Sequence, residues 1–278
     1  MRLASFAAGG GASWGVVEGE TLRDLGLASG VPTLRRALAS GLDAATAAER
    51  SPSLPLSSVR LLPPIPDPSR IICIGRNYLD HLAEGKDSSL PKYPGLFLRF
   101  ASTLVGHGSP ILRGAASDDL DFEGELAVVI GRACRAVERS AALDHVLGYS
   151  CFMDGTMRDF QALYSATIGK NFPATGGFGP WIVTADEVGD PGRGLGLTTR
   201  LNGAVMQHSS TDRMIFDVAE IIAFVSVFTP LEPGDVIVTG TPDGVGRARK
   251  PPVWMKPGDV IEVEIERIGT LRHPIEQE

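Results

Sequence analysis

Three carboxylates occupy alternate positions in one stretch of strand-like sequence, at Asp121, Glu123 and Glu125. Because the side chains of a strand alternate between its two faces, these acids line one face, with neighbours about 6.5 Å apart, or two rises of about 3.3 Å. On its own this pattern is typical of a solvated strand face, since carboxylates are mostly exposed. The same face continues into Ala127 and Val129, however, so both faces become apolar. Carboxylates that enter such an interior need a cation or a partner, so the pattern indicates that Glu123 and Glu125 converge on one ion.

A histidine and a glutamate with the spacing of a general base and its partner lie earlier in the chain. The segment Gly75–Glu84 has the pattern of a strand end that turns into a short helix, on which His81 and Glu84 are neighbours. A carboxylate beside an imidazole orients the ring and fixes its tautomer, as a general base requires. An ordinary surface pair has the same spacing. The next stretch, Gly85–Pro94, has the composition of a mobile loop, which could close over a site.

Two further residues could complete a site around the acids. Asp154 ends a strand predicted over Leu147–Met153, where it would either cap the following helix or supply a third ligand from a rigid element. Lys170 follows Gly169 and has two interpretations as well. It is either a solvated turn residue or a cation that offsets the carboxylates and holds an anionic oxygen of a substrate.

Composition limits the classes of partner. The chain has 278 residues, a mass of 29.4 kDa, a net charge of −7 and a pI near 5.3. Its Lys and Arg residues are scattered, which argues against a nucleic-acid or anionic membrane surface and favours a small-molecule partner. Cys73, Cys134 and Cys151 are far apart and odd in number, which argues against a disulfide framework or a zinc knuckle. No apolar run approaches the roughly 18 residues of a membrane span, so we expect a soluble, cytoplasmic protein.

The elements that must position these side chains fall into two parts. The start of the chain carries two short strands and an alanine-rich helix, predicted at Arg2–Phe6, Ser13–Glu18 and Thr33–Glu49. The proline-rich stretch Ser51–Pro68 predicts an extended connector. We therefore predict a small N-terminal domain over residues 1–62 and a larger domain over residues 63–278.

The sequence pattern of the larger predicted domain indicates mainly strands. Besides those that carry the acids, we predict strands at Arg70–Ile74, Leu96–Leu98, Ser102–Val105, Asp235–Thr239 and Val260–Ile265, and near Leu271. The Asn202-Gly203 pair predicts a hairpin, and Ile215–Phe228 predicts an apolar helix.

Seven motifs, in order over about residues 70–275, resemble the fumarylacetoacetate hydrolase family. They are Ile74–Tyr78 with the downstream His81 and Glu84, Asp121–Gly131, Asp154 with Arg158, Asp159 and Gln161, Gly169-Lys170, Gly179–Trp181, Thr239–Pro242 and Lys256–Asp259. Each motif alone is weak, but seven in the family's order are highly specific. The resemblance favours the functional interpretation over the ordinary one for the acids, for Asp154 and for the His81–Glu84 pair.

The resemblance implies a fold and a metal site. The fold would be mainly β, α+β, with a rolled mixed β-sheet core that encloses the metal, a small N-terminal β-rich domain, and usually a homodimer. The metal would be a divalent cation on Glu123, Glu125 and Asp154. An all-oxygen, carboxylate-rich site suits Mg²⁺, which we expect first, or Mn²⁺ or Ca²⁺, and leaves positions for water and substrate.

The resemblance also implies an activity on 2-oxo acids. We expect hydrolysis of a carbon–carbon bond in an acylpyruvate-type 2,4-dioxo acid, similar to fumarylpyruvate or fumarylacetoacetate, with the ion as the electron sink. His81, oriented by Glu84, would deprotonate water, and Lys170, with Arg158 or Gln161, would stabilise the oxyanion. The substrate-binding candidates are Arg76, Tyr78, Arg158, Gln161 and Thr241.

Departures from the family pattern leave the reaction open. Residues 155–157 are Gly-Thr-Met where many members have Val-Ser-Ala, and residues 171–173 are Asn-Phe-Pro where many have Ser or Gly, Phe and Asp. The alternatives are an isomerase of 2-hydroxymuconate-type diacids of aromatic catabolism (5-carboxymethyl-2-hydroxymuconate or 2-hydroxyhepta-2,4-diene-1,7-dioate), a 2-oxo acid decarboxylase, or a catalytically silent 2-oxo acid-binding protein. Retention of the His81–Glu84 pair favours hydrolysis, because water activation needs a base.

Overall fold

Strands dominate the fold, and the predicted mainly β, α+β class is confirmed. The computed structural model describes residues 1–49, 51–84 and 89–278. Residues 85–88 of the loop predicted over Gly85–Pro94 lie outside the described residues. Within the described ranges, no helix is long and apolar enough to cross a membrane.

The strands and helices alternate irregularly along the chain. The strands are β1 (Arg2–Ala8), β2 (Gly11–Glu18), β3 (Thr21–Asp24), β4 (Ser53–Pro55), β5 (Arg60–Leu61), β6 (Ile71–Gly75), β7 (Gly95–Leu98), β8 (Leu104–Val105), β9 (Ile111–Arg113), β10 (Leu120–Asp121), β11 (Gly124–Ile130), β12 (Val146–Asp154), β13 (Thr156–Met157), β14 (Gly176–Thr184), β15 (Gly196–Leu201), β16 (Ala204–Ser210), β17 (Val236–Val238), β18 (Val260–Ile265) and β19 (Gly269–Gln277). The helices are α1 (Leu25–Ser29), α2 (Leu34–Ser40), α3 (Ala44–Ala48), α4 (Leu79–Ala83), α5 (Arg158–Leu163), α6 (Ala166–Lys170), α7 (Ala185–Val188) and α8 (Val218–Phe228).

The antiparallel pair β11 and β12 forms the centre of the main sheet. This sheet of twelve strands follows the order β4-β3-β2-β1-β14-β12-β11-β17-β6-β7, with β5 paired to β1 and β8 paired to β14. Every residue of β11 is buried, because layers of the protein cover both of its faces. Leu126 and Val128 pack into one apolar cluster, and Ala127 and Val129 pack into another on the opposite face.

A second sheet covers one face of the central strands. Its order is β16-β15-β18-β19-β9, and it contacts β11, β12 and β14. Leu197 of β15 and Val263 of β18 belong to the same buried cluster as Leu126 and Val128. The predicted hairpin is present, since β15 and β16 pair across the turn at Asn202, whose φ is 52°.

The opposite face of the centre packs against the beginning of the chain. Strand β1 pairs with β14 as well as with β2 and β5, so the N-terminal strands extend the main sheet. Leu3 and Trp14 join Ala127 and Val129 in one cluster. The extended connector predicted over Ser51–Pro68 is wrong in part, because β4 and β5 lie within it and pair with β3 and β1. The division into domains at residues 62 and 63 stays a prediction.

Three predicted elements have different bounds in the structure. The helix predicted over Thr33–Glu49 is split into α2 and α3, because Gly41 takes a left-handed conformation with φ of 70°. Helix α8 begins only at Val218, because the Asp217 side chain caps it by accepting a 2.8 Å hydrogen bond from the Glu220 N–H. The acidic strand is interrupted at residues 122–123, so β10 pairs with β13 while β11 pairs with β12.

Candidate active site

The carboxylates of Glu123, Glu125 and Asp154 meet at one end of β11 and β12. One oxygen atom from each side chain lies within 4.8 Å of the others, and all three residues are buried. The strand register explains the meeting, since Gly124 lies opposite Met153 and Asp154 therefore follows beside Glu123. The Asp154 N–H donates a 2.8 Å hydrogen bond to the Glu123 carbonyl, which fixes the two side chains relative to each other.

Lys170 links two of these acids. Its Nζ donates to Glu123 Oε2 at 2.5 Å and to Thr156 Oγ1 at 2.9 Å, and it also contacts Asp154 Oδ2. Lys170 itself is buried at the end of α6. The solvated-turn interpretation of this lysine is therefore wrong.

Two arginines complete the cationic surroundings. Arg158 Nη2 donates to Glu123 Oε1 at 2.6 Å. Arg99 Nε donates to Asp154 Oδ1 at 2.8 Å, and its Nη2 donates to the Gly155 carbonyl at 2.7 Å. Among the described residues no cation pairs directly with Glu125, which instead accepts a 2.6 Å hydrogen bond from the backbone N–H of Gly240. Gly240 has φ of 98°, a conformation that favours glycine at this position.

The acids therefore differ in their electrostatic states. Burial alone would raise the pKa of Glu123, but the charges of Lys170 and Arg158 lower it far below its usual value. Burial and the negative charges of Asp154 and Glu123 raise the pKa of Glu125 well above its usual value. Burial would lower the pKa of Lys170, but Asp154 and Glu123 raise it, so the ammonium stays charged.

This donor set fits a hard divalent cation. All candidate ligand atoms are carboxylate oxygens, which Mg²⁺, Mn²⁺ and Ca²⁺ accept and soft metals do not favour. Burial first, and then the negative charges of Asp154 and Glu123, raise the pKa of Glu125, and a divalent charge would offset the repulsion among these acids. Glu123, Glu125 and Asp154 could therefore hold such an ion together.

His81 and Glu84 form the predicted pair on α4 and the residue after it. His81 Nδ1 lies 2.8 Å from Glu84 Oε2, and Glu84 Oε1 accepts a 2.7 Å hydrogen bond from the Gly244 N–H. An ionised carboxylate can only accept, so Nδ1 carries the proton of this bond and Nε2 is the basic atom of the neutral ring. The glutamate is held at both oxygens, which fixes the orientation of the imidazole.

A cavity of about 240 Å³ brings most of the predicted residues together. Its lining comprises Ile74, Gly75, Arg76, His81, Phe97, Glu123, Glu125, Arg158, Gln161, Ala166, Lys170, Thr241 and Arg247. Tyr78, a predicted substrate contact, is absent from this lining and is fully buried instead. A larger depression of about 920 Å³ lies elsewhere, beside the N-terminal strands, and contains none of these residues.

Three residues that sequence reasoning did not assign to the site contribute to it. Arg99 is the buried partner of Asp154, and Arg247 lines the cavity. Asp121 was predicted to share a face with the glutamates, but the interruption of the strand separates it from the ligand cluster. Its carboxylate instead accepts from Arg158 Nε at 2.6 Å and from the Gly246 N–H at 2.7 Å.

Comparison with known proteins identifies the family. The family model described as "Fumarylacetoacetate (FAA) hydrolase C-terminal" matches residues 70–276. The chain belongs to the fumarylacetoacetate hydrolase family. Residues 1–64 match a second model, described as "Rv2993c-like, N-terminal". The resemblance found in the sequence motifs is thus confirmed.

Individual members of this family carry different activities in their names. The oxaloacetate tautomerase fahd2 of Xenopus laevis, a mitochondrial protein, is 43% identical over 222 residues, which cover 79% of this chain and 69% of the relative. The solved fumarylacetoacetate hydrolase of Exiguobacterium antarcticum is 39% identical, covers 100% of both chains and superposes with a TM-score of 0.90. The maleylpyruvate hydrolase of Sphingobium sp. SYK-6, solved with manganese(II) and pyruvate, is 32% identical with a TM-score of 0.82 and covers 100% of this chain and 99% of that chain.

Replacing Glu125 with Gln should weaken binding of Mg²⁺ or Mn²⁺ by at least the roughly 10- to 100-fold that loss of an outer hydrogen-bond partner costs a metal site. Because the pKa of Glu125 is raised, the ion would compete with a proton for this carboxylate, so affinity should rise with pH and binding should release protons. Titration calorimetry in buffers of different ionisation enthalpy measures both quantities. The exposed Glu276→Gln variant is the control. Unchanged affinity and proton release in Glu125→Gln would contradict the assignment.

Proposed function

We propose that this protein is a divalent-metal-dependent enzyme that acts on small 2-oxo acids through their enol form. The observation that supports it is the shared cavity, which holds the carboxylates of Glu123 and Glu125, the Lys170 ammonium and the His81 imidazole. Three carboxylate ligands, with Asp154 as the third, leave coordination positions for the carboxylate and 2-oxo oxygens of a substrate. We propose Mg²⁺ as the ion, with Mn²⁺ and Ca²⁺ as alternatives.

The reaction that we propose first is keto–enol interconversion of a 2-oxo dicarboxylate of the oxaloacetate type. Its support is the 43% identity to a relative named as an oxaloacetate tautomerase. The cavity volume of about 240 Å³ adds support, because it lies below the roughly 300–1,000 Å³ of sites for drug-sized ligands and suits a few carbon atoms. The lining also carries Arg76, Arg158 and Arg247, which suits a dianion.

His81, Glu84 and Lys170 would each have a separate role in the tautomerisation. Glu123, Glu125 and Asp154 would hold a divalent cation, which would supply Lewis-acid polarisation of the oxo group of a 2-oxo acid and so would make the neighbouring C–H more acidic. His81 Nε2 moves the proton between that carbon and the enol oxygen, while Glu84 holds the ring in place. Lys170, fixed between Glu123 and Asp154, keeps a positive charge beside the oxygen on which negative charge develops.

Hydrolysis of an acylpyruvate is the second candidate reaction, and the fixed position of the His81–Glu84 pair favours it. Glu84 is bonded at both oxygens, an arrangement that suits a base for deprotonating water. A neighbour at 32% identity is named as a maleylpyruvate hydrolase and was solved with manganese(II) and pyruvate. In this reaction Lys170, with Arg158 or Gln161, would stabilise the oxyanion of the hydrated carbonyl.

A set of substrates distinguishes these reactions. Loss of the ultraviolet enol band would be followed for oxaloacetate, acetylpyruvate, fumarylpyruvate and a 2-hydroxymuconate-type diacid, with Mg²⁺ and with EDTA. The masses of the products would be determined by mass spectrometry. We expect a metal-dependent, mass-neutral change with oxaloacetate. Formation of pyruvate plus a carboxylic acid would establish a hydrolase instead. Isomerisation of the diacid would establish an isomerase, and loss of CO₂ would establish a decarboxylase. Oxalate binding without turnover of any substrate would leave a silent binder and overturn the proposed enzyme.

Replacing His81 with Ala should lower kcat by about 10²- to 10⁴-fold, the usual contribution of a general base, whichever of the two reactions operates. Metal affinity should survive, because His81 is not one of the clustered carboxylates. Steady-state kinetics and titration calorimetry measure the two effects separately. The exposed His208→Ala variant should be fully active. A fully active His81→Ala enzyme would remove the residue from the mechanism.

A homodimer remains a proposal, and the surface beside β7 supports it. Strand β7 ends the described main sheet, and Leu98, Phe100 and Phe228 are 52%, 55% and 57% exposed. Apolar side chains at a strand edge are commonly covered by a partner. Light scattering should therefore give about twice the chain mass of 29.4 kDa, and Leu98→Asp should shift it toward one chain. A monomeric mass for the unaltered protein would contradict the proposal.

A further inference from the structure

One cation of the cavity has no carboxylate ion-pair partner among residues 1–49, 51–84 and 89–278. Arg158 is paired with Asp121 and Glu123, and Lys170 is paired with Glu123 and Asp154. Within the part of the chain that the structure describes, the guanidinium of Arg247 instead contacts the amide oxygen of a glutamine, with its Nη1 3.4 Å from Gln161 Oε1.

The position of Arg247 is nevertheless fixed. Its backbone N–H donates to Asp121 Oδ2 at 3.1 Å, and the N–H of Gly246 donates to Asp121 Oδ1 at 2.7 Å. A Cβ at residue 246 would lie 1.9 Å from the Val253 carbonyl oxygen, so only glycine fits there. The same Asp121 holds Arg158, so the segment that carries Arg247 is tied to the wall of the cavity.

A line of contacts leads from the acidic cluster to Arg247. Arg158 Nη2 lies 2.6 Å from Glu123 Oε1, and Arg158 Nη1 lies 2.9 Å from Gln161 Oε1, the atom that Arg247 also contacts. Arg158 is buried whereas Arg247 is exposed, so the line runs from the base of the cavity outward. A substrate with its carboxylate and oxo oxygen at the acidic cluster would extend its other end along this line.

The local charge at that outer end is positive. Partial desolvation of the guanidinium by neighbouring residues and the charge of Arg158 lower the pKa of Arg247, and the acids Glu123, Asp121 and Glu84 offset this only in part. An anionic group placed between Arg247 and Gln161 would supply the missing counter-charge, and it would accept hydrogen bonds from the guanidinium and from the glutamine amide.

We propose that Arg247, assisted by Gln161, determines specificity by binding a second carboxylate of the substrate. The enzyme would then prefer 2-oxo dicarboxylates to 2-oxo monocarboxylates. This inference rests on the proposed function, because it assumes that the first carboxylate and the oxo group lie at Glu123, Glu125 and Asp154.

The test compares diacids with monoacids in Arg247→Met and Arg247→Lys. The pairs are oxaloacetate and enol-phenylpyruvate for tautomerisation, and fumarylpyruvate and acetylpyruvate for hydrolysis. In Arg247→Met, we expect kcat/KM for the diacid to fall about tenfold or more, mainly through KM, because a charge-assisted hydrogen bond is lost. The kcat/KM for the monoacid should change by less than about threefold, and Arg247→Lys should recover part of the loss of kcat/KM for the diacid.

Two controls separate the outcomes. Inhibition by oxalate, which has no group beyond the two carboxylates that would chelate the ion, should be unchanged in Arg247→Met, and the exposed Arg36→Met variant should keep the diacid preference. Equal losses of kcat/KM for the diacid and the monoacid, or no loss for the diacid, would overturn the role of Arg247 while the proposed function stands. An unaltered enzyme that neither binds oxalate nor turns over any of the four substrates would overturn both.

Discussion

The need to neutralise a buried group of carboxylates is the constraint on which the structure of this protein depends. Asp121, Glu123, Glu125 and Asp154 are all buried at one end of the central strands. Removing an unpaired charge from water costs many kcal/mol, so such a group persists only with compensating charges and hydrogen bonds. The buried cations Arg99, Arg158 and Lys170 compensate three of the four charges, which leaves one negative charge in excess. When all four acids are ionised, a divalent cation among the ligand oxygens would turn this excess into a single positive charge, which suits an anionic substrate.

The fold keeps these groups in place through long-range pairing. The antiparallel register of β11 and β12 sets Glu123 beside Asp154, and layers on both faces exclude water from the strands. Contacts far apart in sequence complete the arrangement, since the Gly240 N–H reaches Glu125 and the Gly244 N–H reaches Glu84. The carboxylates of Glu125 and Glu84 are thus held by backbone groups of the segment that follows β17 in the main sheet.

Local sequence patterns predicted the parts of the site that depend on local geometry. Alternation along a strand placed Glu123 and Glu125 together, helical spacing paired His81 with Glu84, and a strand end delivered Asp154. Motifs in a family's order then indicated which interpretation of these residues to prefer, and the family was confirmed. The motifs do not distinguish tautomerisation from hydrolysis, because a metal with a positioned base serves both reactions.

Other parts depend on contacts that no local pattern reveals. Arg99 meets Asp154 across 55 positions, and the Arg247 N–H meets Asp121 across 126 positions. The interruption after Asp121 follows from the pairing of β10 with β13, and the pairing of β5 with β1 turned a predicted connector into part of the sheet. Alternation and composition carry no information about such partners, so the surroundings of the acids became visible only in the fold.

We propose that Glu123, Glu125 and Asp154 hold a divalent cation that binds a 2-oxo acid. A crystal structure of the protein with Mn²⁺ and oxalate, with anomalous data at the manganese edge, tests it most directly. We expect an anomalous peak bonded to one oxygen of each of the three carboxylates and to both carboxylates of oxalate, with Lys170 beside the ligand. An ion bound elsewhere, or oxalate bound away from this cluster, would contradict it.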